Sequence, residues 1–193
     1  MAIDRKKIPR KIKKTIDKSL LIVYNKDTKK RKELKKMKTT LPKMICFDMD
    51  NTIADLYNVE NWEAMLNAGN PIPYEVCAPM WDMERLVNVL NELIAVGIEI
   101  RIVTWLAIGA TEEYNQQVRE AKRNWLEKFN FPFTHFHGVK YGTTKANCVR
   151  KYLDGEAILI DDNAKVRNGW TLGQTIDPTT CDIIAELKKL LGE

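Results

Sequence analysis

Apolar and polar residues change period several times along the chain, and each change marks an element. Residues 44–48 (MICFD) form an apolar run closed by an acid, the pattern of a strand buried on both faces. From 83 to 96, Met83, Leu86, Val87, Leu90, Leu93 and Ile94 recur at helical spacing, and Gly97 stops the helix. Residues 98–104 (IEIRIVT) predict the next strand. Thr111 caps a helix that runs to Phe129, with Tyr114, Val118, Trp125 and Phe129 turned inward. A short strand is expected over 133–139, then a helix over 144–153. Residues 157–161 (AILID) predict another buried strand, and residues 180–191 a closing helix. This alternation predicts βαβ units, and so an α/β domain with a doubly wound, Rossmann-like parallel sheet.

Ahead of that body, Ile8, Ile12, Ile16, Leu20 and Val23 recur at helical spacing among Lys and Arg, which predicts a short basic amphipathic helix. The stretch from Lys26 to Thr40 is Lys-rich with little to bury, and reads as a solvated helix or a linker. Pro42 marks a boundary, so the chain divides into a basic N-terminal arm, 1–43, and an α/β domain, 44–193.

Charge sharpens that division. Residues 1–43 carry 17 Lys and Arg against 4 Asp and Glu, whereas the remainder carries 14 against 22. An acidic body with a strongly basic arm points to an anionic partner for the arm: nucleic acid, an anionic membrane surface or the body itself. With 193 residues, 45% hydrophobic and 30% charged, the composition is that of a globular protein with one sizeable core. No apolar run approaches the ~20 residues of a membrane-spanning helix. The basic start does not lead into an apolar stretch with a cleavage site, so no secretory signal is expected. Cys46, Cys77, Cys148 and Cys181 form no close pair, which argues against zinc ribbons and redox motifs and for a reducing, cytoplasmic compartment.

The chemistry is expected at the carboxyl ends of the strands, where ligands of such sheets bind. The first strand ends in Asp48-Met49-Asp50-Asn51-Thr52, the second in Thr104 and the last in Asp161-Asp162. A helix opens just before the last strand with Gly142-Thr143-Thr144-Lys145. Carboxylates brought together repel one another unless a cation offsets them, and a hard divalent ion such as Mg²⁺ does this with oxygen ligands. Lys145 and Thr104 would then grip phosphoryl oxygens, and backbone N–H groups of the turn after Asp48 would form an anion nest.

These residues resemble the motifs of the haloacid-dehalogenase (HAD) superfamily of phosphatases. DMDNT after an apolar strand is similar to its first motif, Thr104 after IRIV to its second, Lys145 to its third and ILIDD to its acidic fourth. The resemblance covers about residues 44–191, and FDMDNTIADL most resembles the 5'-nucleotidase and deoxyribonucleotidase-like branch. It implies that Asp48 attacks phosphorus and forms an aspartyl-phosphate, while Asp50 acts as general acid and then base. It also implies Mg²⁺ held by the Asp48 carboxylate, the Asp50 carbonyl and one or both of Asp161 and Asp162. Lys145 is preferred to Lys140 as the third-motif lysine, because it opens a helix after Gly142.

Other residues carry weaker signals. His135 and His137 share a strand face without a third ligand at metal spacing, and read as structural. Trp62, Trp81 and Trp105 cluster near the first two motifs and offer a ring to a substrate. Residues 55–82 leave room only for a small cap, expected as one helix and irregular loops, over an open site. The leading expectation is a Mg²⁺-dependent phosphomonoesterase acting on a nucleotide or another small phosphate monoester. The alternatives are a polynucleotide-end phosphatase whose arm holds nucleic acid, and a non-catalytic adaptor that binds nucleic acid or membrane.

Overall fold

The computed structural model describes residues 41–193, so the expectations for the arm, up to Thr40, lie outside the described residues. Strand β1 (Met44–Phe47) leads into a turn and a two-residue ladder, β2 (Ala54–Asp55) with β3 (Ala78–Pro79), antiparallel. Between β2 and β3 lie a single 3₁₀ turn (Leu56–Asn58) and two short helices, α1 (Trp62–Asn67) and α2 (Ile72–Val76). Then follow α3 (Met83–Ala95), β4 (Glu99–Trp105), α4 (Glu112–Lys128), β5 (His135–Val139) and α5 (Lys145–Val149), which continues as a 3₁₀ turn (Arg150–Tyr152). The chain closes with β6 (Ala157–Ile160), α6 (Ala164–Asn168), β7 (Thr175–Ile176) and α7 (Ile183–Leu191).

The main sheet has the order β5-β4-β1-β6-β7, and every pairing in it is parallel. Helices cover both faces, which makes this an α/β Rossmann-like fold. Strand β1 lies at the switch point, with β4 on one side and β6 on the other, and its four residues are fully buried. The crevice of such a sheet opens beyond the carboxyl end of this central strand.

The core follows from the alternation of β1. Met44 and Cys46 pack with Val103, Leu159, Val149 and Trp170, while Phe47 meets Phe131 edge-on at 5.3 Å on the opposite face. Helix α4 is capped as expected, with the Thr111 side chain accepting from the Tyr114 N–H. Helix α3 departs in detail. Val89 is buried where Val87 was expected, and Ile94 is 38% exposed. Helix α3 packs on α7 as well as on β4. The closing helix begins at Ile183, because Asp182 rather than Thr180 supplies the cap. Helix α6 and strand β7 have no counterpart in the sequence reading. Asn163 caps α6, and Gly173 (φ +138°) lets the chain pass so close to Ala157 that a Cβ there would lie 2.5 Å from its carbonyl oxygen.

Residues 55–82 hold more regular structure than the expected one helix and loops. Pro73 sits in the first turn of α2, where a proline costs no hydrogen bond, and α2 packs against α4. Among the described residues no helix is long and apolar enough to cross a membrane.

Candidate active site

Four of the singled-out residues meet at the carboxyl edge of β1 and β6. Asp48 follows β1, and its N–H donates to the Ile160 carbonyl of β6, which fixes the two strand ends side by side. Lys145, the first residue of α5, is buried between them. Its ammonium lies 2.8 Å from Asp48 Oδ1 and 2.7 Å from Asp161 Oδ2. Lys140 is exposed, in the loop between β5 and α5. The Asp161 carboxylate also accepts from the Asn163 N–H, at 2.9 Å, and its carbonyl from the Arg167 guanidinium, at 2.7 Å. Asp162 is steadied from the β1 turn: Asn51 Nδ2 donates to its Oδ2 at 2.9 Å, and its own N–H donates to Thr52 Oγ1 at 3.1 Å.

The turn after Asp48 spends much of its hydrogen bonding on itself. Asn51 takes a left-handed conformation (φ 54°) and curls the chain back on itself. The N–H groups of Thr52, Ile53 and Ala54 all donate to the Met49 carbonyl, and that of Asn51 donates to the Ala54 carbonyl. These four donors are consumed within the turn; the N–H groups of Met49 and Asp50, which follow Asp48 directly, are not among them.

Asp50 and Thr104 belong to a second cluster built around Lys122, a residue the sequence reading did not single out. The Lys122 ammonium donates to Asp50 Oδ2 at 2.7 Å, to Thr104 Oγ1 at 2.8 Å and to the Trp105 carbonyl at 3.0 Å. It also lies 4.7 Å from the centre of the Tyr74 ring. Thr104 is fully buried, with its hydroxyl on Lys122, and does not line the cleft, whereas a grip on a phosphoryl oxygen was expected of it. The one signal for Lys122 was its place on the inward stripe of α4, four residues after Val118 and three before Trp125.

The site carries more negative charge than its lysines balance. Asp48, Asp50, Asp161 and Asp162 face two ammonium groups, Lys122 and Lys145. Burial and the Asp48 charge push the Asp161 carboxyl up to about 6. Burial likewise raises Asp50 against the opposing pull of Lys122, and raises Asp162. Burial alone would lower the Lys145 ammonium, but Asp48 and Asp161 overrule it and hold it above the ordinary lysine value.

Asp48, Asp161 and Asp162 each offer a carboxylate oxygen within 4.8 Å of the others, so this trio could hold a metal ion. The donors suit a hard divalent cation, because all are carboxylate oxygens. The charge also suits it, because two positive charges match the surplus of two carboxylates. The Asp50 carboxylate stands outside the trio, on Lys122.

A cleft of about 630 Å³ opens over these groups. Asp48, Asp50, Lys145, Asp161 and Asp162 form its floor, residues between β2 and β3 one wall, and the loop after β4 another. Trp62 and Trp105 line it, whereas Trp81 is tied by its indole N–H to the Thr52 carbonyl at 2.8 Å. His135 and His137 stack on each other 6.2 Å apart, and His135 stacks on Tyr152, along β5 and outside the cleft.

No family model and no curated protein matches this chain. Among solved structures, a chain of the "Structure of the Pnkp1/Rnl/Hen1 RNA repair complex" is similar to it at 15% identity with a TM-score of 0.48, over 72% of this chain and 43% of that one. A chain of the "Structure of Pnkp1/Rnl/Hen1 complex" is similar at the same identity and TM-score, over 72% of this chain and 46% of its own. This chain therefore spans less than half the length of either.

Proposed function

We propose that the protein is a divalent-metal-dependent phosphomonoesterase of haloacid-dehalogenase type. The observation that carries this reading is the convergence of Asp48, Asp161 and Asp162 on one cation-sized site at the sheet's switch point, with Lys145 buried against Asp48. Asp48, Asp161 and Asp162, with the Asp50 carbonyl, would hold Mg²⁺, which when bound supplies charge neutralisation for the attacked phosphoryl group.

The protein's own residues do the rest. Asp48 attacks phosphorus, and the bond to the leaving oxygen breaks as the aspartyl-phosphate forms. Lys145 fixes the Asp48 carboxylate through Oδ1, which leaves Oδ2 as the attacking atom. Asp50 donates a proton to the departing oxygen, then takes one from the water that hydrolyses the acyl phosphate. Its burial favours the protonated form needed for the first step, and Lys122 holds its Oδ2, so that Oδ1 carries the proton. Thr104 serves by positioning Lys122.

The substrate is a nucleotide or another small phosphate monoester. The test is phosphate release from para-nitrophenyl phosphate and a set of phosphorylated metabolites, with Mg²⁺ and with EDTA. Release that requires Mg²⁺ is the expected result. Absence of release from every ester, or release undiminished in EDTA, would overturn the reading.

A further inference from the structure

Beyond the cleft, one ion pair grips the backbone that carries two of the three converging carboxylates. Asp161 and Asp162 share one peptide unit, and that unit is held at both ends. Its carbonyl, from Asp161, accepts from Arg167 Nη1 at 2.7 Å. Its N–H, from Asp162, donates to the hydroxyl of the fully buried Thr52 at 3.1 Å. A peptide is planar, so holding both ends sets the directions in which the two side chains leave it. One residue earlier, the Asp161 N–H donates to the Ile176 carbonyl of β7 at 3.3 Å.

Arg167 is itself fixed. It belongs to α6, which Asn163 caps by accepting from the N–H groups of Lys165 and Val166. Its other terminal nitrogen pairs with Asp177 Oδ2, and Asp177 directly follows β7. Asp177 keeps its Oδ1 on the N–H and the hydroxyl of Thr179, at 3.0 and 2.6 Å. The guanidinium thus bridges a carbonyl just past β6 and a carboxylate just past β7. Its planar fork suits two acceptors at once, whereas the ammonium of a lysine is a single point of charge. Neither Arg167 nor Asp177 lines the cleft, so neither meets a molecule bound there.

Resting on the metal-dependent phosphatase reading, we propose that Arg167, held by Asp177, is a positioning residue for the cation site: it locks the Asp161–Asp162 peptide so that both carboxylates converge with Asp48. Three carboxylates within 4.8 Å of one another repel in metal-free protein, and rotation about the bonds flanking that peptide would separate them. The clamp opposes this rotation. Charge alone makes a different forecast. Removing the positive charge of Arg167 would by itself strengthen the pull on a divalent cation, and removing the negative charge of Asp177 would weaken it. Positioning requires that either removal weakens cation binding.

The test is calorimetric titration of the full chain with Mg²⁺, for wild type, Arg167→Met, Arg167→Lys and Asp177→Asn, beside urea unfolding of each. Arg167→Met should raise the Mg²⁺ Kd by about tenfold or more, as loss of a partner that orients a ligand does. Asp177→Asn keeps an oxygen for Thr179 but faces the guanidinium with an amide nitrogen, and should raise the Kd as well. Arg167→Lys keeps the charge without the fork, and should lie between wild type and Arg167→Met. Should Arg167→Met fail to fold, Asp177→Asn and Arg167→Lys carry the same comparison. Lower stability with an unchanged Mg²⁺ Kd in the variants, or tighter Mg²⁺ binding by Arg167→Met, would overturn the inference and leave Arg167 a structural ion pair. Mg²⁺ binding by a wild type that hydrolyses no ester would overturn the phosphatase reading alone. A wild type that binds no Mg²⁺ would overturn both.

Discussion

Replacing Lys122 by Met tests whether the second cluster is a stable, functional unit. Met keeps most of the volume and removes the charge. Lys122 is 1% exposed and donates to three acceptors at 2.7, 2.8 and 3.0 Å. The substitution removes a donor from the Thr104 hydroxyl and from the Trp105 carbonyl, and leaves the Asp50 carboxylate without its counter-charge. Removing one partner of a buried pair costs about 3–5 kcal/mol. Asp50 is 19% exposed and can take up a proton instead of staying charged, so the expected loss lies near 3 kcal/mol, the lower end of that range. The loss should shrink as the pH falls, because Asp50 is already raised by burial and protonates more readily still without Lys122. The assay is urea unfolding at several pH values for wild type, Lys122→Met, Asp50→Asn and the double variant. Asp50→Asn should relieve part of the Lys122→Met loss, giving a coupling of about 1–3 kcal/mol. A loss below about 1 kcal/mol, or strictly additive single losses, would refute the account of this cluster.

Further expectations concern the carboxylate trio and the arm. The folded-state value of Asp161, about 6, lies above the ordinary 3.8, so its protonated form is favoured by folding. That contribution is full below about 3.8 and is lost as the pH rises through 6, by up to about 3 kcal/mol in metal-free protein. The rise in Tm on adding Mg²⁺ should therefore grow between pH 5 and 7, and a rise independent of pH would count against crowding at Asp161. Mg²⁺ at a hundred times its Kd should stabilise the protein by about 2.7 kcal/mol, and Asp162→Asn should weaken that effect; equal stabilisation of the variant would remove Asp162 from the ligand set. Deleting residues 1–40 should leave turnover of a small ester intact, because every site residue follows Pro42; lost turnover would make the arm part of the catalytic unit. If the arm recruits nucleic acid, oligonucleotide binding by the full chain should fall steeply with salt and disappear on truncation, and unchanged binding after truncation would contradict recruitment.

What the sequence disclosed, and what it hid, follows from range. The strands β1, β4 and β6 were legible because a strand buried on both faces is an apolar run, and the residues that close such runs, Asp48, Thr104 and Asp161, fall at one sheet edge by topology alone. Lys122 was hidden because its meaning lies in a partner 72 residues away, Asp50, and a lysine on a helix ordinarily extends into water. The turn after Asp48 was legible only in part: the left-handed Asn51 folds the N–H groups of residues 51–54 back onto the turn, a choice no periodicity reveals. Helix α6 and strand β7, five and two residues long, are too short to show a period, and they form because Asn163 caps one and Gly173 lets the other approach β6.

The central claim is that Asp48 becomes phosphorylated during turnover. The direct measurement is rapid mixing with ³²P-labelled para-nitrophenyl phosphate in Mg²⁺, followed by acid quench. Wild type should carry acid-stable label that hydroxylamine removes, as an acyl phosphate requires, and Asp48→Asn should carry none and release no phosphate. Turnover without hydroxylamine-labile label, or label and turnover that persist in Asp48→Asn, would contradict it.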